Sequence, residues 1–278
     1  MTRKKKSIIL ALACAVITAG ALLMTLIVLP ILHENECRNR VFEDLEARLP
    51  QVRSGVIGII PKTTGSDGSV TYGGGGSGVV FSRDEKEKDL YYAVTAAHVV
   101  SGRDAEYKTF TVNTPYTAED DPALKAAGVE VVSSSFYESL TDLKIEYVSP
   151  KIDAAVVSFR SETELACPGW APDVTEGQRI VTLGFPEGRF ISESYGTVSG
   201  HQTKKIRSAD GTEKADTVVE HDAFLDPGSS GGPVFNESMA LCGMNIGGEF
   251  DRWDHFEAGF MLDTPQLQSC IDEWKASR

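Results

Sequence analysis

The spacing of hydrophobic positions changes three times along the chain. Residues 7–32, SIILALACAVITAGALLMTLIVLPIL, are apolar nearly throughout and hold no charge; a bilayer core needs about 20 such residues. A secretory signal has a shorter apolar stretch, roughly 7–15 residues before its cleavage site, so an uncleaved transmembrane anchor over 7–32 is predicted. Residues 33–53 then place Val41, Leu45 and Leu49 at i, i+4, i+8, one narrow stripe on a charged stalk helix that Pro50 is expected to end. From Ser54 the runs become strand-sized: SGVIGIIP, SGVVFS, LYYAVTAAHVV, LKIEYVS, DAAVVSF, RIVTLGF, GTVSG, TVVEH, GPVFN and ALCGMNIGG. They are rich in Val, Ile, Phe and Tyr and separated by Gly, Pro, Asp and Ser. SRDEKEKDL at 82–90 reads as a charged turn and GGGG at 73–76 as a flexible loop. The last segment returns to helical spacing, with Leu267, Ile271 and Trp274 on one face and Asp263 or Thr264 as N-cap, giving a helix over 264–277.

The protein outside the anchor is therefore all-β with one C-terminal α-helix, and about 110 residues on either side of position 160 leave room for two similar barrels, 54–160 and 161–263. Composition agrees: 26 glycines and 8% aromatics in 278 residues suit turns rather than a helical bundle. Charge adds an orientation. Arg3, Lys4, Lys5 and Lys6 form a basic tail at 1–6, which keeps the N-terminus cytoplasmic and the domain at 54–278 extracytoplasmic. Beyond the anchor, 23 basic residues face 40 acidic ones, which argues against nucleic acid as a partner. Cys37, Cys167, Cys242 and Cys270 allow three disulfide pairings or none. Their spacing matches no zinc site, and no cofactor or metal is expected.

Acyl transfer by serine needs an exposed hydroxyl beside oriented backbone N–H groups, a histidine to take the proton, and a carboxylate to orient that histidine. DPGSSGGPVF, 226–235, offers Ser230 between glycines, so that the N–H groups of Gly228 and Ser230, with Ser229 shaping the turn, are candidates for an oxyanion hole. VTAAHVV, 94–100, offers His98 behind a small apolar strand; His33, His201, His221 and His255 have no such setting. KIDAAVVSF, 151–159, offers Asp153 at the mouth of a strand, with Asp142 in LTDLKIEYV as its rival. Chain order separates the folds that use this chemistry. GSSGG also fits the G-x-S-x-G elbow of α/β-hydrolases, but that fold needs acid and histidine after the serine, whereas here the order is His98, Asp153, Ser230.

These pieces, SGVVF, VTAAHVV, DAAVVSF, GFPEG, GTVSG and DPGSSGGPVF followed by GMN, resemble successive landmarks of trypsin-like serine proteases. They are most similar to the bacterial HtrA or Do-like branch, over residues 54–265. The resemblance implies a double six-stranded β-barrel of chymotrypsin type with its active site between the barrels. It implies Ser230 as nucleophile, His98 as general base and acid, Asp153 as orienting acid, and Gly228, Ser229 and Ser230 around the oxyanion hole. It also puts Phe224 at the base of the S1 pocket and Met244, Asn245, Ile246 and Gly247 along its wall, with a preference for small or medium apolar P1 residues. The expected function is a membrane-anchored serine endopeptidase acting on extracytoplasmic proteins or peptides. The alternative is a protease-fold binding or sensor protein that has lost catalysis. Departures from the family are Ser229 where Asn or Asp is commoner, no IVGG activation terminus, and no room for the PDZ domain that HtrA-type enzymes usually carry.

Overall fold

The computed structural model describes residues 43–278, apart from 102–103, 116–133, 187–189 and 208–212, together with Met24. The predicted anchor (Met24 apart) and residues 33–42 of the stalk, His33 and Cys37 among them, lie outside the described residues. Among the described residues no helix is long and apolar enough to cross a membrane. Two compact units are distinguished, Met1–Ala47 and Arg48–Arg278. In the first, a helical turn begins at Glu43, whose carbonyl accepts the Ala47 N–H at 3.0 Å.

The second unit opens with a one-turn helix, α1 (Pro50–Arg53), burying Val52. Pro50, expected to end a helix, instead starts one: the first turn leaves its N–H groups unbonded, so a residue without one costs nothing there. Strands β1 (Val56–Thr64), β2 (Val70–Tyr72), β3 (Gly76–Arg83), β4 (Leu90–Thr95), β5 (Glu106–Thr111), β6 (Thr141–Val148) and β7 (Ala155–Arg160) follow, with short helices α2 (Ala97–Val100) and α3 (Ser134–Ser139) among them. They pair antiparallel in the order β2-β1-β3-β4-β7-β6-β5, and β5 pairs back onto β1. That last pairing joins β1, β3, β4, β7, β6 and β5 into a ring, which removes the free edges an open sheet would expose. Ile57, Ile59, Val79, Tyr91, Ala93, Val157 and Phe159 are buried in this barrel.

Strands β8 (Arg179–Gly184), β9 (Ser192–Arg207), β10 (Glu213–His221), β11 (Pro233–Asn236), β12 (Leu241–Phe250) and β13 (Phe256–Asp263) close a second barrel in the order β10-β13-β12-β11-β8-β9. Val174, Ile180, Val198, Val219, Val234, Cys242 and Met261 form its core. Phe110 of the first barrel meets Phe185, just after β8, edge-on at 4.7 Å, an arrangement that aromatic quadrupoles favour.

Helix α4 (Thr264–Ala276) starts at a capping box. Asp263 Oδ1 accepts the Gln266 N–H, and Gln266 Oε1 accepts the Asp263 N–H, each at 3.0 Å. Two of the unbonded N–H groups at the helix start are thereby satisfied. The helix leaves the second barrel and returns to the first, where the Trp274 ring lies 4.9 Å from Tyr92. Cys167, Cys242 and Cys270 are free thiols.

Candidate active site

β4 carries an apolar strand to Thr95, after which the chain turns into α2 and His98 stands on that single helical turn. The sequence suggests a histidine on a strand end; the helical turn instead aims its backbone N–H and its ring at one group. That group is Asp153, in the loop between β6 and β7. The His98 N–H donates to Asp153 Oδ1 at 2.9 Å and ring Nδ1 stands 2.6 Å from Oδ2. The carboxylate side chain is 2% exposed and the imidazole 39%. An ionised carboxylate only accepts, so Nδ1 carries the proton and, in the neutral ring, Nε2 is left with its lone pair. Asp142 lies elsewhere: its side chain is 86% exposed and pairs with Lys108.

Ser230 sits at a turn between β10 and β11. Gly228 and Gly231 have φ of +103° and +83°, a region that side chains other than glycine's rarely enter. The turn is docked on both barrels. On its own barrel, the Gly231 N–H donates to the Asn245 carbonyl at 2.7 Å, and the Asn245 N–H to that of Gly232 at 2.9 Å. On the other, Ser77 of β3 donates from its N–H to the Ser230 carbonyl at 2.7 Å. Gly76 marks how close this contact is, because a Cβ there would lie 2.6 Å from Val99 Cγ2 and 2.9 Å from the Ser230 carbonyl oxygen. The residue after His98 and the backbone of Ser230 thus flank the same glycine. GGGG, read as a flexible loop, ends in a close-packed position.

The N–H groups of the turn divide into two sets. Those of Ser229, Gly231 and Gly232 donate to Asp226, Asn245 and Ser229 carbonyls. Those of Gly228 and Ser230 donate to no protein acceptor among the described residues. Ser229, expected to shape the turn, has its N–H occupied by the Asp226 carbonyl at 2.9 Å, and its Oγ accepts the Asp226 N–H at 3.3 Å. It shapes the turn and offers no donor. Ser230 is half-buried.

The family model for a trypsin-like peptidase domain matches residues 76–244. The chain belongs to the trypsin-like peptidase family. Its relatives include the serine protease Do-like HtrA of Bacillus subtilis (strain 168), 30% identical over 177 residues, covering 63% of this chain and 34% of that protein. The serine protease Do-like HtrB of the same organism is 31% identical over 228 residues, covering 78% of this chain and 42% of that one. The chain thus spans well under half the length of these relatives. In fold it is similar to the Rv3671c protease of M. tuberculosis in its active form, with a TM-score of 0.57 at 17% identity over 81% of this chain and 82% of that one. That likeness concerns the chymotrypsin-like fold.

The expected pocket residues are distributed unevenly. Phe224 is 49% exposed, its ring edge-on to Phe256 at 5.3 Å, so it stands at the surface. Met244 and Asn245 are fully buried, Ile246 nearly so, and Gly247 reaches solvent with open space at its Cα. One polar pair here escapes sequence reading. His221 Nε2 lies 3.0 Å from Asn245 Oδ1, both residues at 0% exposure. Burial pushes the His221 pKa down to about 4, against a smaller opposing effect of the Asn245 hydrogen bond. Its signal in VVEHD was an alternation that turns His221 inward with Val219.

Proposed function

We propose that this chain is a serine endopeptidase with Ser230 as nucleophile. The observation that carries the reading is the coincidence of an Asp153-bound His98 with a turn whose two unspent N–H groups, of Gly228 and Ser230, flank the serine. Nε2 of His98 takes the hydroxyl proton as Ser230 Oγ bonds to the scissile carbonyl carbon. Asp153 stabilises the resulting imidazolium without taking its proton. The carbonyl oxygen becomes an oxyanion, and the N–H groups of Gly228 and Ser230 are available to receive it. Donors fixed before charge develops are where such enzymes gain most. Collapse breaks the C–N bond, the imidazolium proton leaves with the amine, and an acyl-enzyme remains. Water, deprotonated by the same histidine, then adds to the acyl carbon; the C–Oγ bond breaks, the imidazolium proton returns to Ser230 Oγ, and the acid leaves. The test is a fluorophosphonate probe with mass spectrometry of the labelled peptide. Labelling at Ser230 is expected; labelling at another serine, or none on folded protein, overturns the assignment.

The substrates are proteins or peptides. Gly247 and the strand around it leave space for a substrate backbone to pair in the manner of an added strand. With no carboxylate among Phe224, Met244, Asn245, Ile246 and Gly247, small or medium apolar P1 residues are favoured. Residues 7–32 serve as a single membrane anchor with the peptidase outside, a reading supported by their length without charge. Release of the protein from membranes by alkaline carbonate would contradict it.

A further inference from the structure

Ser77, the second residue of β3, is fully buried, and its polar groups are all engaged. Its N–H donates to the Ser230 carbonyl at 2.7 Å and its hydroxyl to the Gly228 carbonyl at 2.7 Å. The hydroxyl oxygen accepts the Phe185 N–H at 2.8 Å, and the Ser77 carbonyl accepts the Thr95 hydroxyl at 2.7 Å. A hydroxyl has one proton. With Phe185 donating to its oxygen, that proton is directed at Gly228.

The two carbonyls held by Ser77 belong to the two residues whose N–H groups are unspent. Bonds inside the turn, from Ser229 to Asp226 and from Gly232 to Ser229, leave these carbonyls unfixed. Gly228, with φ of +103° and no side chain, is where the backbone resists rotation least. Among the described residues no other part of the first barrel hydrogen-bonds this turn.

We propose that Ser77 is a positioning residue, by which the first barrel holds the second barrel's oxyanion turn through the carbonyls of Gly228 and Ser230. The inference rests on the reading of Ser230 as nucleophile. It adds that the oxyanion site is assembled by contact between barrels and is not a property of the GSSGG turn alone.

The test uses the purified full chain with a fluorogenic peptide amide and a peptidyl boronic acid, whose boronate oxygen takes the oxyanion's place. Removing a direct oxyanion donor costs about 10²–10³-fold in kcat, so Ser77→Ala, acting through the turn, is expected to cost about 10- to 100-fold. KM should move less than about threefold, and boronate affinity should fall in parallel with kcat. Thr109→Val removes another buried hydroxyl, bonded to the Gly58 carbonyl at 2.9 Å, and should lower thermal stability with kcat intact. Should Ser77→Ala not fold, Ser77→Cys, similar in size and a weaker donor, carries the same expectation. A Ser77 variant that keeps kcat and boronate affinity while only its melting temperature falls overturns the proposal. So does a Thr109→Val that loses kcat equally. Ser230→Ala run alongside separates the two claims: its inactivity upholds the nucleophile whatever Ser77 does.

Discussion

Asp153→Asn isolates one consequence of the His98 geometry. Asp153 accepts two N–H groups of the same residue, the backbone at 2.9 Å and ring Nδ1 at 2.6 Å. A backbone N–H cannot change its polarity. An asparagine at 153 must therefore keep its oxygen toward the His98 N–H and turn its NH2 toward Nδ1. The ring then accepts at Nδ1 and carries its proton on Nε2, the atom that has to take the serine proton. The base is removed by tautomer alone, with size and burial kept. The expected loss is about 10⁴-fold in kcat, the scale such tautomer reversal produces in a serine protease, or about 5 kcal/mol of barrier. Stability should fall by only about 1–2 kcal/mol, since both hydrogen bonds are kept but lose their charged acceptor. Initial rates on a fluorogenic peptide amide, with circular dichroism to verify folding, provide the assay. Asp142→Asn is the internal control. Its carboxylate is 86% exposed and pairs with Lys108 on the surface, so activity should hold within about twofold, as for most exposed ion pairs. A folded Asp153→Asn within about tenfold of wild type, or an Asp142→Asn that loses about 10⁴-fold, would show that Asp153 does not set the His98 tautomer.

Two further outcomes follow from other parts of the second barrel. His221 is neutral when folded, with its pKa lowered from 6.5 to about 4. The unfolded chain thus binds the proton first as pH drops. Its contribution is fully present above pH 6.5 and is lost as pH falls toward 4, roughly 3 kcal/mol in all. Urea unfolding between pH 8 and 4 should show this slope, and His221→Gln should flatten it; an unchanged slope in the variant would assign the acid sensitivity elsewhere. In a peptide library varied at P1, small or medium apolar residues should be cleaved best, and efficient cleavage after Lys or Arg would sink the apolar-pocket reading.

Barrel strands that are apolar on both faces were legible in the sequence, because burial leaves a run such as AAVV, 154–157, no polar positions. Strands with one wet face were harder. β5, Glu106–Thr111, mixes Glu, Lys and Thr with aromatics, and β13 is interrupted by Glu257 and Gly259. Gly259 has a reason visible only in three dimensions: a Cβ there would stand 2.2 Å from the His221 ring. β9 runs over Ser192–Arg207, far beyond the GTVSG that marks it, because its outer half is charged. Chain order and local setting brought His98 and Asp153 forward, and the structure joins these two. Ser77 was read only as the first residue of the strand run SGVVFS, after the GGGG loop, with no role of its own. Nothing local tells that its hydroxyl is buried against a turn some 150 residues away. Gly228 and Ser230 were named as donors from the glycines around the serine, but that the neighbouring N–H groups are spent depends on Asn245 and Asp226, which only the fold brings there.

Ser230, beside two unspent N–H groups and served by His98, is proposed to break peptide bonds. The direct measurement is hydrolysis of denatured casein by the purified full chain beside its Ser230→Ala variant, with equal folding verified. Loss of the nucleophile costs about 10⁶-fold in kcat in a serine protease, so the account predicts peptide products from the wild type and none above background from the variant. Equal cleavage by both proteins would contradict it.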